Sequence, residues 1–142
     1  MEMEVLVQIP AWDWPAGTGN EVRAVLEDRE APHAERIMAA EMAGSVTILD
    51  DPLAETLLTV VQNPDEDEDL RGRSAIAFGG AMEYAFIEGF DNPLDPELFD
   101  EPLLTEPVFR RVQSALRDVY QDPSIPKLVR RRALEASVRA PE

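Results

Sequence analysis

The sequence predicts an all-α protein, and three observations carry that prediction. Apolar residues recur at helical spacing from about residue 20 onwards. Asx-Pro pairs, which open helices, stand at residues 51–52 and 63–64. Strand signals are confined to one short stretch, VLVQI at residues 5–9, which Pro10 stops.

Taken in order, residues 20–30 predict a short helix carrying Val22, Val25 and Leu26. Pro32 suits a first helical turn, and residues 33–43 follow as an Ala/Met-rich helix that Gly44 ends. Asp51 and Pro52 open the next helix, in which Leu53, Leu57, Val60 and Val61 form one stripe at i, i+4, i+7 and i+8. A helix starting at Asn63-Pro64 is expected to run to about Glu88, with apolar residues around most of its circumference, as in a helix held between neighbours. Residues 89–104, GFDNPLDPELFDEPLL, contain three prolines and predict a long loop with at most one helical turn near residues 97–99. Thr105, Glu106 and Pro107 start another helix, with Phe109, Val112, Leu116, Val119 and Tyr120 on its apolar stripe. Asp122-Pro123 marks a connection, and the last helix is expected over about residues 125–140.

Composition narrows the function classes. With 142 residues, 44% of them hydrophobic, the chain is long enough for one domain with a core. There is no cysteine, so disulfide and thiolate chemistry are excluded. No stretch approaches the ~18 apolar residues of a membrane span, and the start, MEMEVLVQIP, is acidic where an export signal is basic. The expectation is a cytoplasmic location without membrane contact. Thirteen basic against 29 acidic residues leave a net charge of −16. Residues 1–104 hold 5 basic and 24 acidic side chains, a net of −19, and residues 105–142 hold 8 and 5, a net of +3. Most of such a surface repels nucleic acid.

An internal repeat organises the chain. LRGRSAIA at residues 70–77 aligns without gaps on VRRRALEA at residues 129–136, 59 positions later, and each follows an Asx-Pro turn. Both segments are an aliphatic–Arg pair followed by small residues at helical spacing. That pattern resembles the first helix of a HEAT repeat. IPAWDWP at residues 9–15 and ALEASVRAP at residues 133–141 are similar to stretches in the N-terminal part of bacterial HEAT-repeat proteins. The resemblance implies a right-handed α-α superhelix of HEAT-like helix pairs with an irregular N-terminal cap. It divides the chain into a cap at 1–30, a first repeat at 31–63, a second at 64–122 that includes the 89–104 loop, and the first helix of an incomplete third at 123–142. RIMAA at residues 36–40 departs from the aliphatic–Arg order. The resemblance implies a scaffold and supplies no reaction.

The candidate sites follow from side-chain chemistry. Five consecutive carboxylates stand at residues 65–69. Asp65, Asp67 and Asp69 match the 1, 3, 5 spacing of a calcium loop, but Leu70 and Ile76 replace its Gly and its bidentate Glu. A helix N-terminus, with Asn63 and Glu66 as a capping box, accounts for the run. His33, the sole histidine, reads as a surface residue. Gly79-Gly80 lacks a phosphate-loop context and predicts close helix packing or a kink. Trp12 and Trp14 suit either a partner handle or a cover for the end of the stack. The basic segment contributes Arg110, Arg111, Arg130 and Arg131, and the Pro-rich loop Phe90, Leu98 and Phe99. These nine residues are the candidate partner surface.

The expectation is a non-catalytic protein–protein scaffold, without cofactor or metal, for a partner of basic character or for further repeats of its own chain. Self-association through the C-terminal helix is a further expectation. Two alternatives stand beside it. One is nucleic-acid or phosphate binding through the Arg-rich helices. The other is an enzyme with a carboxylate site such as Glu83 and Glu88.

Overall fold

The computed structural model describes residues 3–90 and 102–142. Seven α-helices occur among them: α1 (Met3–Leu6), α2 (Thr18–Glu27), α3 (His33–Ala43), α4 (Asp51–Gln62), α5 (Glu68–Glu88), α6 (Glu106–Gln121) and α7 (Lys127–Ser137), with one 3-10 turn at Ala11–Asp13. No strand is present among the described residues. Residues 5–9 therefore do not form the expected strand. Met3 and Leu6, one helical turn apart, are buried, while Val5 and Val7 point outward. With no second strand to satisfy its backbone, this short stretch gains more from docking one helical face on α3.

Each helix starts where its chemistry allows, though not always at the expected residue. Asp50, not Asp51, caps α4: its Oδ1 accepts the Leu53 N–H at 3.0 Å. Asp51 instead accepts the Thr105 N–H and Oγ–H, both at 2.8 Å, tying the starts of α4 and α6 together. Helix α5 begins four residues after Pro64, with Asp67 as its cap accepting from Asp69 N and Leu70 N. The expected stripes are buried, Leu53, Leu57, Val60 and Val61 on α4 and Phe109, Val112, Leu116 and Val119 on α6, with Tyr120 of the α6 stripe only half-buried.

One unit occurs three times. Helices α2 and α3, α4 and α5, and α6 and α7 are each joined by five residues, beginning at Asp28, Asn63 and Asp122. In each turn the Asx side chain accepts the backbone N–H two residues on, at 2.9–3.0 Å. The N–H three residues on returns to the Asx carbonyl at 3.1 Å. The residue before the second helix is extended each time, with φ, ψ of −54°, 139° at Pro32, −59°, 138° at Asp67 and −53°, 141° at Pro126. Eight residues after each Asx stands an arginine that donates back to a carbonyl at the turn: Arg36 to Leu26 O (2.6 Å), Arg71 to Val61 O (2.9 Å) and Arg130 to Ile125 O (2.9 Å). Three residues beyond the arginine comes a small residue with no exposure, Ala39, Ser74 and Ala133.

Packing follows the same order. Helix α4 lies against α2 and α6, and α5 against α3 and α7. Helices α3, α5 and α7 run parallel, because His33 meets Asp67 at their N-termini, Gly72 meets Leu128, and the C-terminal residues Gly44 and Arg139 meet α5 at Ala77 and Gly79. Of the glycine pair, Gly79 faces the Arg139 side chain, 2.9 Å from an added β-carbon, and Gly80 faces Gly44 O at an ordinary 3.7 Å; the tight backbone approach is at Gly44 instead. At Gly44 a β-carbon would stand 2.7 Å from the Ala77 carbonyl oxygen. Gly44 has φ of −72°, so it is this contact, not a left-handed backbone, that requires glycine. None of the helices described is long and apolar enough to cross a membrane.

Candidate functional site

The parallel helices α3 and α5 bring the first two turns side by side, and the acidic run lies there. Arg29 of the first turn reaches the second, donating to Asp65 O at 3.2 Å and pairing with Glu66 Oε1 at 2.8 Å. Glu66 does not act in a capping box. Its carboxylate turns inward, and Oε2 lies 2.7 Å from Arg36 Nη1. Glu66 and Arg36 are both more than nine-tenths buried. A buried carboxylate between two guanidinium groups is electrostatically compensated, so it fixes how the turns align more than it adds net stability. The other carboxylates face solvent: Asp28, Glu30, Asp65, Asp67, Glu68 and Asp69 are all exposed along this edge.

Next to the edge, α2 and α4 enclose a groove of about 460 Å³. Leu26, Pro52 and Val60 contribute apolar surface, and Arg29, Arg36 and Glu66 line its turn end. Its charged groups are largely matched. Thr56 Oγ–H donates to Glu27 Oε1 at 2.9 Å, Arg23 lies 3.9 Å from Glu27, and Glu55 pairs with Arg111 of α6.

His33, Asp67 and Asp69 bring three ligand-type atoms within 4.8 Å of one another. All three side chains are exposed, and the Asp67 carboxylate is already engaged as the α5 cap. Asp67 and Asp69 sit at the helix start that the sequence indicates.

The seven candidate partner residues among those described do not converge. Trp12 is 80% exposed at the N-terminal end. Trp14 is half-buried, and its Nε1–H is shared between Leu6 O (2.9 Å) and Ile9 O (3.0 Å), so it holds the N-terminal segment down. Phe90 meets Phe109 edge-on at 5.2 Å, and Arg110 lies 5.2 Å from the same ring. Arg111 is spent on Glu55 and Arg130 on its own turn. Arg131 is exposed and forms no ion pair among the described residues. Leu98 and Phe99 lie outside the described residues. The basic segment is likewise divided, with Arg117 paired to Glu142, Arg132 to Glu135 and Arg139 to Glu83. Five positions separate Glu83 from Glu88 on α5, about 140° around the helix, so the two carboxylates face different ways.

Sequence reasoning placed Glu66 in a capping box with Asn63 and read Arg36 only as a departure from the repeat pattern, so it missed that the two pair at the centre of this edge. The signal available was the Asx-to-Arg interval of eight residues, which holds in all three units.

Comparisons with family models, curated proteins and solved structures give no match to this chain.

Proposed function

We propose that the chain is a HEAT-like α-solenoid, a right-handed α-α superhelix that acts as a non-catalytic scaffold for a protein partner of basic character. The observation that carries this reading is the threefold helix–Asx turn–helix unit, whose first two turns align as one acidic edge beside the α2–α4 groove. In this reading the repeats are α2–α3, α4–α5 and α6–α7, and α7 completes the third unit instead of opening it. Residues before α2 form the cap. Stacked units expose an extended face, the usual means by which solenoids hold partners. Glu30, Asp65 and Glu68 are exposed and outside any ion pair among the described residues, so they are free for incoming cations. The charge of residues 1–104 steers such a partner to this end of the molecule.

The test is affinity capture from an extract of the source cell, comparing the natural chain with a Glu30→Gln, Asp65→Asn, Glu68→Gln variant. A control carries Asp13→Asn, Glu88→Gln and Asp118→Asn. At ~0.5–1 kcal/mol per exposed charge, the edge variant loses about ten- to hundredfold in affinity, while the control retains the partner. Equal capture by all three proteins, or capture of no basic protein, contradicts the reading.

A further inference from the structure

We propose that the outer face of α7 docks head to tail on the N-terminal end of a second copy of this chain. Lys127, Arg131, Leu134 and Val138 stand at i, i+4, i+7 and i+11, one stripe along the helix, and all four are exposed. Leu134 is 46% and Val138 66% exposed. The opposite face, Val129, Ala133 and Ala136, is already buried, and α5 and α6 are the helices against which α7 packs. The Leu134–Val138 end of the outer stripe is thus apolar as well, and among the described residues no helix covers it. Lys127 and Arg131 form no ion pair among the described residues, whereas Arg117, Arg132 and Arg139 each do. A hollow of about 190 Å³ lies alongside, lined in part by Tyr120, Leu134 and Val138.

The other end of the chain is complementary. Helix α1 buries Met3 and Leu6 and turns Glu4 and Val5 outward, with Val7 beside them; Val5 is 56% and Val7 42% exposed. Glu4 forms no ion pair among the described residues. Apolar side chains with an unpaired carboxylate thus match apolar side chains with unpaired cations. The two surfaces are also the ends of one row, since α1 packs on α3, α3 on α5 and α5 on α7. A second copy's α1 set against α7 extends that row.

Charge decides which copy-to-copy contact forms. A two-fold contact through this stripe sets the exposed Lys127 and Arg131 of one copy against those of the other. A head-to-tail contact instead sets these cations against Glu4 of α1, which is exposed and forms no ion pair among the described residues. Such a contact does not close, so it grows past the dimer. It leaves the acidic edge free and does not depend on the scaffold reading.

Sedimentation velocity from ~10 μM to ~1 mM, the range in which a small contact is populated, tests this with the chain as it stands. The average mass is expected to rise with concentration and to pass that of a dimer. Arg131→Glu and Glu4→Lys each put like charges at the contact, so each alone remains a monomer. Both positions are exposed and unpaired, and the far-ultraviolet dichroism of the variants is expected to match the natural chain. Mixing the two variants restores growth, because every contact between unlike copies is again oppositely charged. A natural chain that stays monomeric, growth that stops at the dimer, or an Arg131→Glu effect without a Glu4→Lys effect overturns the proposal. Capture of a basic partner is unchanged in both variants, so failure here is separable from failure of the scaffold reading.

Discussion

At Gly44 and Gly79 the same residue type stands under different constraints. A β-carbon at Gly44 meets the backbone of Ala77 at 2.7 Å and 3.2 Å, and backbone cannot swing aside. Gly44→Ala is therefore expected to force α3 from α5 and to cost about 1–3 kcal/mol, seen as a lower urea midpoint at unchanged slope. At Gly79 the nearest atoms, at 2.9 Å and 3.1 Å, belong to the flexible Arg139 side chain. The gain of about 1 kcal/mol in helix propensity then offsets the cost of moving that side chain, and Gly79→Ala is expected to leave the midpoint nearly unchanged. Glu66 makes a third case. Glu66→Ala leaves the buried Arg36 without its carboxylate and is expected to cost about 3–5 kcal/mol. The pair Arg36→Met with Glu66→Leu removes both charges and recovers most of that loss in thermal melts. A double variant no better than Glu66→Ala would show that the pair contributes more than mutual compensation.

At the scale of the element, the Asx turn is the device the chain reuses, and its third copy carries a measurable signature. The Ser124 hydroxyl and then the Ser124 N–H donate to Asp122 and hold its carboxyl below the ordinary aspartate value, with Arg130 adding to the effect. Because the folded value lies below the unfolded one, the stabilisation is fully present at neutral pH. It fades only as pH falls through the folded value, below about pH 4. Ser124→Ala removes the hydroxyl, so the Asp122 carboxyl carbon is expected to titrate at higher pH in NMR; an unchanged midpoint would contradict this origin. Recognition of the turn from sequence was uneven for a physical reason. In α5 and α7 the arginine follows a fully buried aliphatic residue, Leu70 or Val129, and the pattern is readable. In α3 the residue before Arg36 is Glu35, so the first unit hides although its arginine occupies the same place. The helices themselves were readable because their stripes are long. Residues 5–9 misled because four or five apolar residues fit either period, and only the burial of Met3 and Leu6 decides between them.

For the molecule as a whole, charge and repetition act together. The unit repeats at intervals of 35 and 59 residues, and the longer interval contains the Pro-rich stretch at residues 89–104. The acidic run reads from sequence as a helix start, and its last three residues form one, while Asp65 and Glu66 lie in the turn before it. Its place in the molecule was not readable, because that depends on Arg29 crossing from the neighbouring turn to Glu66. With Glu66 drawn inward, the remaining carboxylates line the edge of two units beside the α2–α4 groove. The direct measurement is an amide chemical-shift titration of the isotope-labelled chain with a Lys/Arg-rich amphipathic peptide at physiological salt. Shifts are expected to cluster at residues 28–33 and 63–69 and along the facing sides of α2 and α4, and to vanish in the Glu30→Gln, Asp65→Asn, Glu68→Gln variant. Shifts spread evenly over all exposed carboxylates, or centred elsewhere and unchanged in the variant, would contradict the account.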